Sequence, residues 1–198
     1  CGKYPKGVEF YKWLASKGWD ESQAIKEAAG VKGTKVHLAI TDILNGYEVT
    51  INSKYPNPKT GVEEELTLEE CDVVLSFIDW RDKIKPESVA WDLTIFSDKY
   101  NFAGTIDYIC KIDGEYYIVD FKTSPNIWTE YELQVNAYKQ GMLTQPPDEM
   151  FKDIKDYKMM ILQLNYKKNK TKKYKETIID DKFHLFLSAR EIWANEHD

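Results

Sequence analysis

The chain has 198 residues, of which 42% are hydrophobic and 30% charged, enough apolar material for one packed domain. Its net charge of −6 argues against a general nucleic-acid coat protein, but not against an enzyme with an acidic metal-binding centre and local basic residues. No apolar run approaches the length of a membrane span, the first residues lack a secretory apolar core, and three scattered cysteines, Cys1, Cys71 and Cys110, argue against a disulfide framework or a four-cysteine metal or iron–sulfur site; a reducing, cytoplasmic setting is expected.

In chain order, residues 8–18 read as a short helix ending at Gly18. A second helix, 20–30, opens with Asp20 as N-cap candidate and stops at Gly30. Val36, Ala39, Ile40, Ile43 and Leu44 then recur at helical spacing, and Gly46 closes that segment. Pro56, Pro58 and Gly61 punctuate a loop. Thr67 and Glu70 form a capping box ahead of an amphipathic helix that runs to Ile84. Three strand signals follow, at 88–97, 100–112 and 115–124, the last two joined by Asp113-Gly114, a strong hairpin signal. A helix at 129–143, a breaker at 145–149 and a buried strand at 157–168 come next. A return strand at 171–180 and a final helix at 180–198 complete the chain. The basic run from Asn165 to Lys175 reads either as a solvated hairpin tip or as a local basic patch. This order predicts an α/β (α+β) sheet with helices packed on it.

The segment "YYIVDFKTS", Tyr116–Ser124, has charges in a strand that otherwise reads as buried. Asp120 and Lys122 point to one face, roughly 7 Å apart along the strand. A two-residue turn at Asp113-Gly114 pairs Ile112 with Glu115, Ile109 with Ile118, and Asp107 with Asp120. Carboxylates so opposed, with Cβ atoms about 4.5–5.5 Å apart, repel by roughly 3 kcal/mol at an effective dielectric near 20. A shared proton offsets this, and a divalent cation offsets it more strongly. A bulged turn would slip the register by one and remove the opposition. The bland alternative is a structural ion cluster of Asp107, Asp120 and Lys122 at a sheet end.

"GTIDYI" and "YYIVDFKTS", preceded by "AGVKGTKVH" and followed by "ELQVNAYKQG", together resemble the PD-(D/E)XK nuclease superfamily, and more narrowly its RecB-type exonuclease branch. The resemblance runs from about Gly30 to Gly141. It implies a restriction-endonuclease-like core with a mixed four- or five-stranded sheet, in one domain, 1–198, with an N-terminal helical embellishment over about 1–66. It implies that His37, Asp107, Asp120 and the main-chain carbonyl of Phe121 hold Mg²⁺ or Mn²⁺. Lys122 would orient or deprotonate the attacking water, and Gln134 and Tyr138, four apart on one helix face, would look onto the site. Many relatives carry a glutamate on the strand before "GTID"; Asp92 stands at the comparable place, where a second ion would be held through water. The imidazole ligand suits Mn²⁺ somewhat better than Mg²⁺. The implied activity is that of a compact metal-dependent DNA exonuclease, viral or phage in type, acting on single-stranded DNA or DNA ends in repair or recombination. Its rival is a catalytically weak DNA-binding accessory protein.

Other residues are read more plainly. His184 reads as a partly buried helix residue and His197 as a solvated tail. Trp128 and Tyr131 read as core aromatics, with stacking on single-stranded bases as the alternative. Thr123 and Ser124 read as a phosphate contact or as a cap for the next helix.

Overall fold

A computed structural model describes residues 1–166 and 173–197. Helices α1 (Val8–Lys17) and α2 (Trp19–Leu44) come first. A small antiparallel pair, β1 (Lys54–Pro56) and β2 (Glu63–Glu65), precedes α3 (Leu68–Ile84). Then come β3 (Glu87–Ser97), β4 (Phe102–Ile112), β5 (Glu115–Lys122) and α4 (Thr129–Thr144). A 3-10 turn at Glu149–Phe151, β6 (Lys158–Leu164), β7 (Tyr174–Ile178) and α5 (Phe183–His197) follow. The long strands form one sheet in the order β3-β4-β5-β6-β7. Every neighbouring pair is antiparallel except β5 and β6, and α4 supplies the crossover that a parallel pair requires. This is the mixed five-stranded, helix-flanked architecture expected of a restriction-endonuclease-like fold.

Both faces of the sheet are covered. Val36, Ala39 and Ile40 of α2 and Val73, Phe77 and Trp80 of α3 share one core with Tyr108, Val119, Phe121 and Leu162. Val135, Tyr138 and Met142 of α4 share another with Ile95, Ile109, Ile118 and Ile161. Alternation along β5 therefore sends Val119 and Phe121 one way, and Ile118 and Asp120 the other. Among the described residues no helix is long and apolar enough to cross a membrane, and all three cysteines are free.

The helices predicted at 20–30 and from 32 onward are one. Helix α2 runs through Gly30 and Gly33 without a break. Each interior glycine costs about 1 kcal/mol relative to alanine, less than the about 1.5–3 kcal/mol gained by burying one Val or Ile side chain. Val36, Ala39 and Ile40 are fully buried, so packing outweighs the two weak positions. Gly18, not Asp20, is the N-cap, at φ 74°; Asp20 lies in the first turn, where the helix dipole favours an acid. The predicted loop at 52–61 contains β1, and the breaker at 145–149 ends in the 3-10 turn. β7 is the predicted return strand. Residues 167–172 of the basic run lie outside the described residues.

The capping box forms as predicted, and its glutamate has a second task. Glu70 N–H donates to Thr67 Oγ1 (3.2 Å), and Thr67 N–H donates to Glu70 Oε2 (2.7 Å). The same oxygen lies 3.0 Å from Lys35 Nζ of α2. Lys35 is 2% exposed and Glu70 4%. The ammonium also donates to the Glu65 carbonyl (2.9 Å) and lies 3.6 Å from Glu64 Oε2. The segment of α2 that carries His37 is thus pinned to the start of α3 by a buried ion pair.

Candidate metal centre

The turn between β4 and β5 has Asp113 at φ 51° and Gly114 at φ 81°. Two consecutive positive values define the turn type that keeps a tight hairpin in register. The ladder runs Ile112–Glu115, Ile109–Ile118 and Tyr108–Val119, and stops there. Asp107 and Asp120 occupy the next step, as the register predicts, but no main-chain pair joins them. Beyond this point β4 stays with β3 as far as Phe102, while β5 continues beside β6 as far as Lys122. The Asp107 carboxylate fills the fork: Phe121 N–H donates to its Oδ2 at 2.7 Å.

Helix α2 brings His37 to the same place. Its Nδ1 is 3.3 Å from Asp107 Oδ1, and its Nε2 is 3.1 Å from the Phe121 carbonyl oxygen. On the α4 side, Lys122 Nζ lies 2.6 Å from Asp120 Oδ2 and donates to Gln134 Oε1 at 3.4 Å. Gln134 Nε2 donates to the Tyr138 hydroxyl at 2.6 Å. The chain thus brings together His37, Asp107, Asp120, Phe121, Lys122, Gln134 and Tyr138. Asp92 does not join them. It stands opposite Asp107 in register, between the pairs Trp91–Tyr108 and Leu93–Ile106, but it is exposed, at φ 48°, and no described hydrogen bond or ion pair links it to the cluster.

The charges are strongly coupled. Burial pushes the Asp120 carboxyl up to about 6; Asp107 adds to the rise and Lys122 opposes it. Burial also works against the charged forms of the other three groups, but there it is outweighed. His37 and Lys122 hold Asp107 below the usual carboxylate range. Asp107 holds His37 above the usual imidazole range, and Asp120 and Asp107 do the same for Lys122. A proton on Nε2 lets His37 donate to the Phe121 carbonyl, and a protonated ring sets its charge against the Asp107 carboxylate.

The donor chemistry fits a hard divalent cation: one imidazole, two carboxylates and a main-chain carbonyl. Asp120 Oδ2 is buried, and Lys122 meets it as an ion pair at 2.6 Å. The ligands are divided, however, into a His37–Asp107 pair and an Asp120–Lys122 pair. Among the described residues, no three His, Cys, Asp or Glu side chains form a ready-made metal cage.

Two features of the site were not read from sequence. The first is why "GTID" begins with glycine. A Cβ on Gly104 would lie 2.6 Å from Tyr138 Cε1, so β4 and α4 meet here with no room for a methyl group. Gly104→Ala is expected to push the Tyr138 ring, and Gln134 with it, away from Lys122. The overpacking should cost about 1–3 kcal/mol. Thermal unfolding checks this. The second feature is Tyr131, whose ring centroid lies 4.8 Å from Lys122 Nζ. Tyr131, Gln134 and Tyr138 stand at i, i+3 and i+7, a spacing that was visible in the sequence.

Other expectations shift. His184 is exposed on α5, not partly buried. His197 is exposed, as expected, and stacks on Trp193 with centroids 4.6 Å apart. Ser124 does not cap α4, whose N-cap is Trp128. Its hydroxyl instead closes a local turn with the carbonyl and N–H of Asn126 (2.8 and 3.3 Å).

Paired acids and a lysine at a forked strand end, under a helical histidine, define a centre suited to metal-assisted attack on phosphate esters. The sequence matches the PD-(D/E)XK nuclease superfamily over residues 11–195, nearly its whole length, and the chain belongs to that superfamily. Nucleases of this kind generally use divalent metal ions. No curated protein matches the chain.

Proposed function

We propose that this protein is a DNA exonuclease of the RecB type, dependent on Mg²⁺ or Mn²⁺ and acting on single-stranded DNA or DNA ends. The observation that carries this reading is the convergence of His37, Asp107, Asp120 and Lys122 where β4 and β5 part. His37 in its neutral form, Asp107, Asp120 and the Phe121 carbonyl would hold the ion. When bound, it polarises the scissile phosphate and lowers the pKa of a bound water. Asp120 would give up its contact with Lys122, leaving the ammonium to orient the attacking water and to balance charge on the phosphate oxygens. Gln134 accepts a long hydrogen bond from Lys122, and Tyr138 steadies Gln134. Attack at phosphorus with rupture of the bond to O3′ leaves a 5′-phosphate on one product and a 3′-hydroxyl on the other. Asp92 would take part only through water. The free cysteines suit a reducing, intracellular setting, and residues 1–198 would form one nuclease domain with helical additions before about residue 66.

A second reading, a weakly active DNA-binding accessory of recombination or DNA processing, rests on the division of the ligands into two pairs. The deciding experiment is digestion of end-labelled single- and double-stranded oligonucleotides, with free and blocked ends, in Mn²⁺, Mg²⁺ or EDTA. Stepwise shortening from free ends, abolished by EDTA, is expected; cutting of circular single strands identifies an endonuclease, and binding without cleavage favours the accessory. Ion binding has its own readout. At a hundredfold excess over its Kd, Mn²⁺ should stabilise the wild type by about 2.7 kcal/mol, a clear rise in Tm, and should leave Asp120→Asn largely unmoved.

A further inference from the structure

We propose that Tyr131 is the positioning residue of Lys122, holding its ammonium against the ring face so that it points at the reacting phosphate. This rests on the nuclease reading above. Lys122 is the end of β5 and has a flexible four-carbon stem, so its direction must be set by what surrounds the ammonium. Three groups do so: Asp120 Oδ2 at 2.6 Å, Gln134 Oε1 at 3.4 Å and the Tyr131 ring at 4.8 Å. The first would be drawn away when Asp120 takes a metal ion. The second is a long hydrogen bond. The ring remains. Its face attracts a cation electrostatically, and more strongly where water is excluded; the Lys122 side chain is only 16% exposed. Tyr131 is itself steadied by the core beneath α4, against which it packs, and by its place on the same helix face as Gln134 and Tyr138. Core packing and cation holding are therefore separable: the first needs apolar volume, the second needs a π face.

The test uses Tyr131→Leu, which keeps apolar volume, and Tyr131→Phe, which keeps the ring, each with Tm recorded. In the wild-type protein, lysine ε-methylene protons lying over an aromatic face resonate upfield, and those of Lys122 should do so. Tyr131→Leu should abolish that displacement and Tyr131→Phe should preserve it. In the cleavage assay Tyr131→Leu should lower kcat on the order of tenfold at unchanged KM, the scale of one cation–π contact, and Tyr131→Phe should recover most of the rate. The idea is overturned if the Lys122 signal is not displaced in the wild type, or if Tyr131→Leu leaves it in place. A rise in KM at unchanged kcat would also overturn it, pointing to base stacking in its place. Absence of cleavage by the wild type would sink the nuclease reading alone, because the resonance test of the Tyr131–Lys122 contact needs no activity.

Discussion

Asp120→Ala is expected to remove cleavage and to leave the protein folded. The residue is 1% exposed, touches Lys122 and would be a ligand of the ion. A metal-held phosphate gains several kcal/mol of transition-state stabilisation, and each 1.36 kcal/mol is a factor of ten in rate. A loss of at least about a thousandfold is therefore expected. Asp120→Asn, which preserves shape, should be as inactive, and Lys122→Ala should also abolish cleavage. Metal-dependent digestion by purified Asp120→Ala protein at anything near the wild-type rate would refute the mechanism.

The same carboxyl predicts a pH signature without substrate or metal. Its folded pKa, about 6, lies above the ordinary value of 3.8. Burial penalises the ionised form, so the folded state is favoured while Asp120 is protonated in both states. That contribution is complete below about pH 4 and is lost as pH rises towards 6. In EDTA, the stability of the wild type relative to Asp120→Asn should fall across that interval, by an amount on the order of 2–3 kcal/mol. Denaturant melts at several pH values measure it; a flat difference would show that Asp120 is not buried as described.

The second large effect concerns stability and not chemistry. Glu70→Gln keeps the capping box, since glutamine serves at that position as well, but takes the negative charge away from buried Lys35. Breaking one partner of a buried pair costs about 3–5 kcal/mol, whereas replacing both with apolar or neutral groups is often close to neutral. The Glu65 carbonyl and the nearby Glu64 carboxylate remain beside Lys35, so the lower end of that range is expected. The double variant Lys35→Met/Glu70→Gln should recover most of the loss. Equilibrium unfolding of the single and double variants checks both statements, and additive losses would show that the pair is not the source. Because α2 carries His37 two residues after Lys35, the single variant should also weaken Mn²⁺ stabilisation.

The sequence was most legible where local chemistry decides structure. Thr67 and Glu70 announced the start of α3, and Asp113-Gly114 set the β4–β5 register as far as Tyr108 and Val119. Residues Gly30 and Gly33 were misleading, because local propensity argued for a break and only the burial of Val36, Ala39 and Ile40 overrides it. The pairing of His37 with Asp107 joins residues far apart in the chain, and only the resemblance pointed to it. The bond from Phe121 N–H to Asp107 was hidden because it depends on where the ladder stops. Gly104 owes its importance to one close approach in space, which no local pattern encodes, whereas helical spacing put Tyr131 on the face of Gln134 and Tyr138 but not its ring against Lys122.

The hairpin tip at Asp113-Gly114 lies six residues from Asp120, roughly 20 Å along the strand. Along the unbulged ladder from Ile112–Glu115 to Tyr108–Val119 the positions of facing partners add to the same number, and the loop sets that number. A single residue gained or lost at the tip would send every later residue of β5 through to the opposite side. Ile118 and Phe121 would exchange layers, and the acid and ammonium at the far end would turn from α4 towards α2. A bend roughly 20 Å from the chemistry therefore decides on which face of the sheet that chemistry lies.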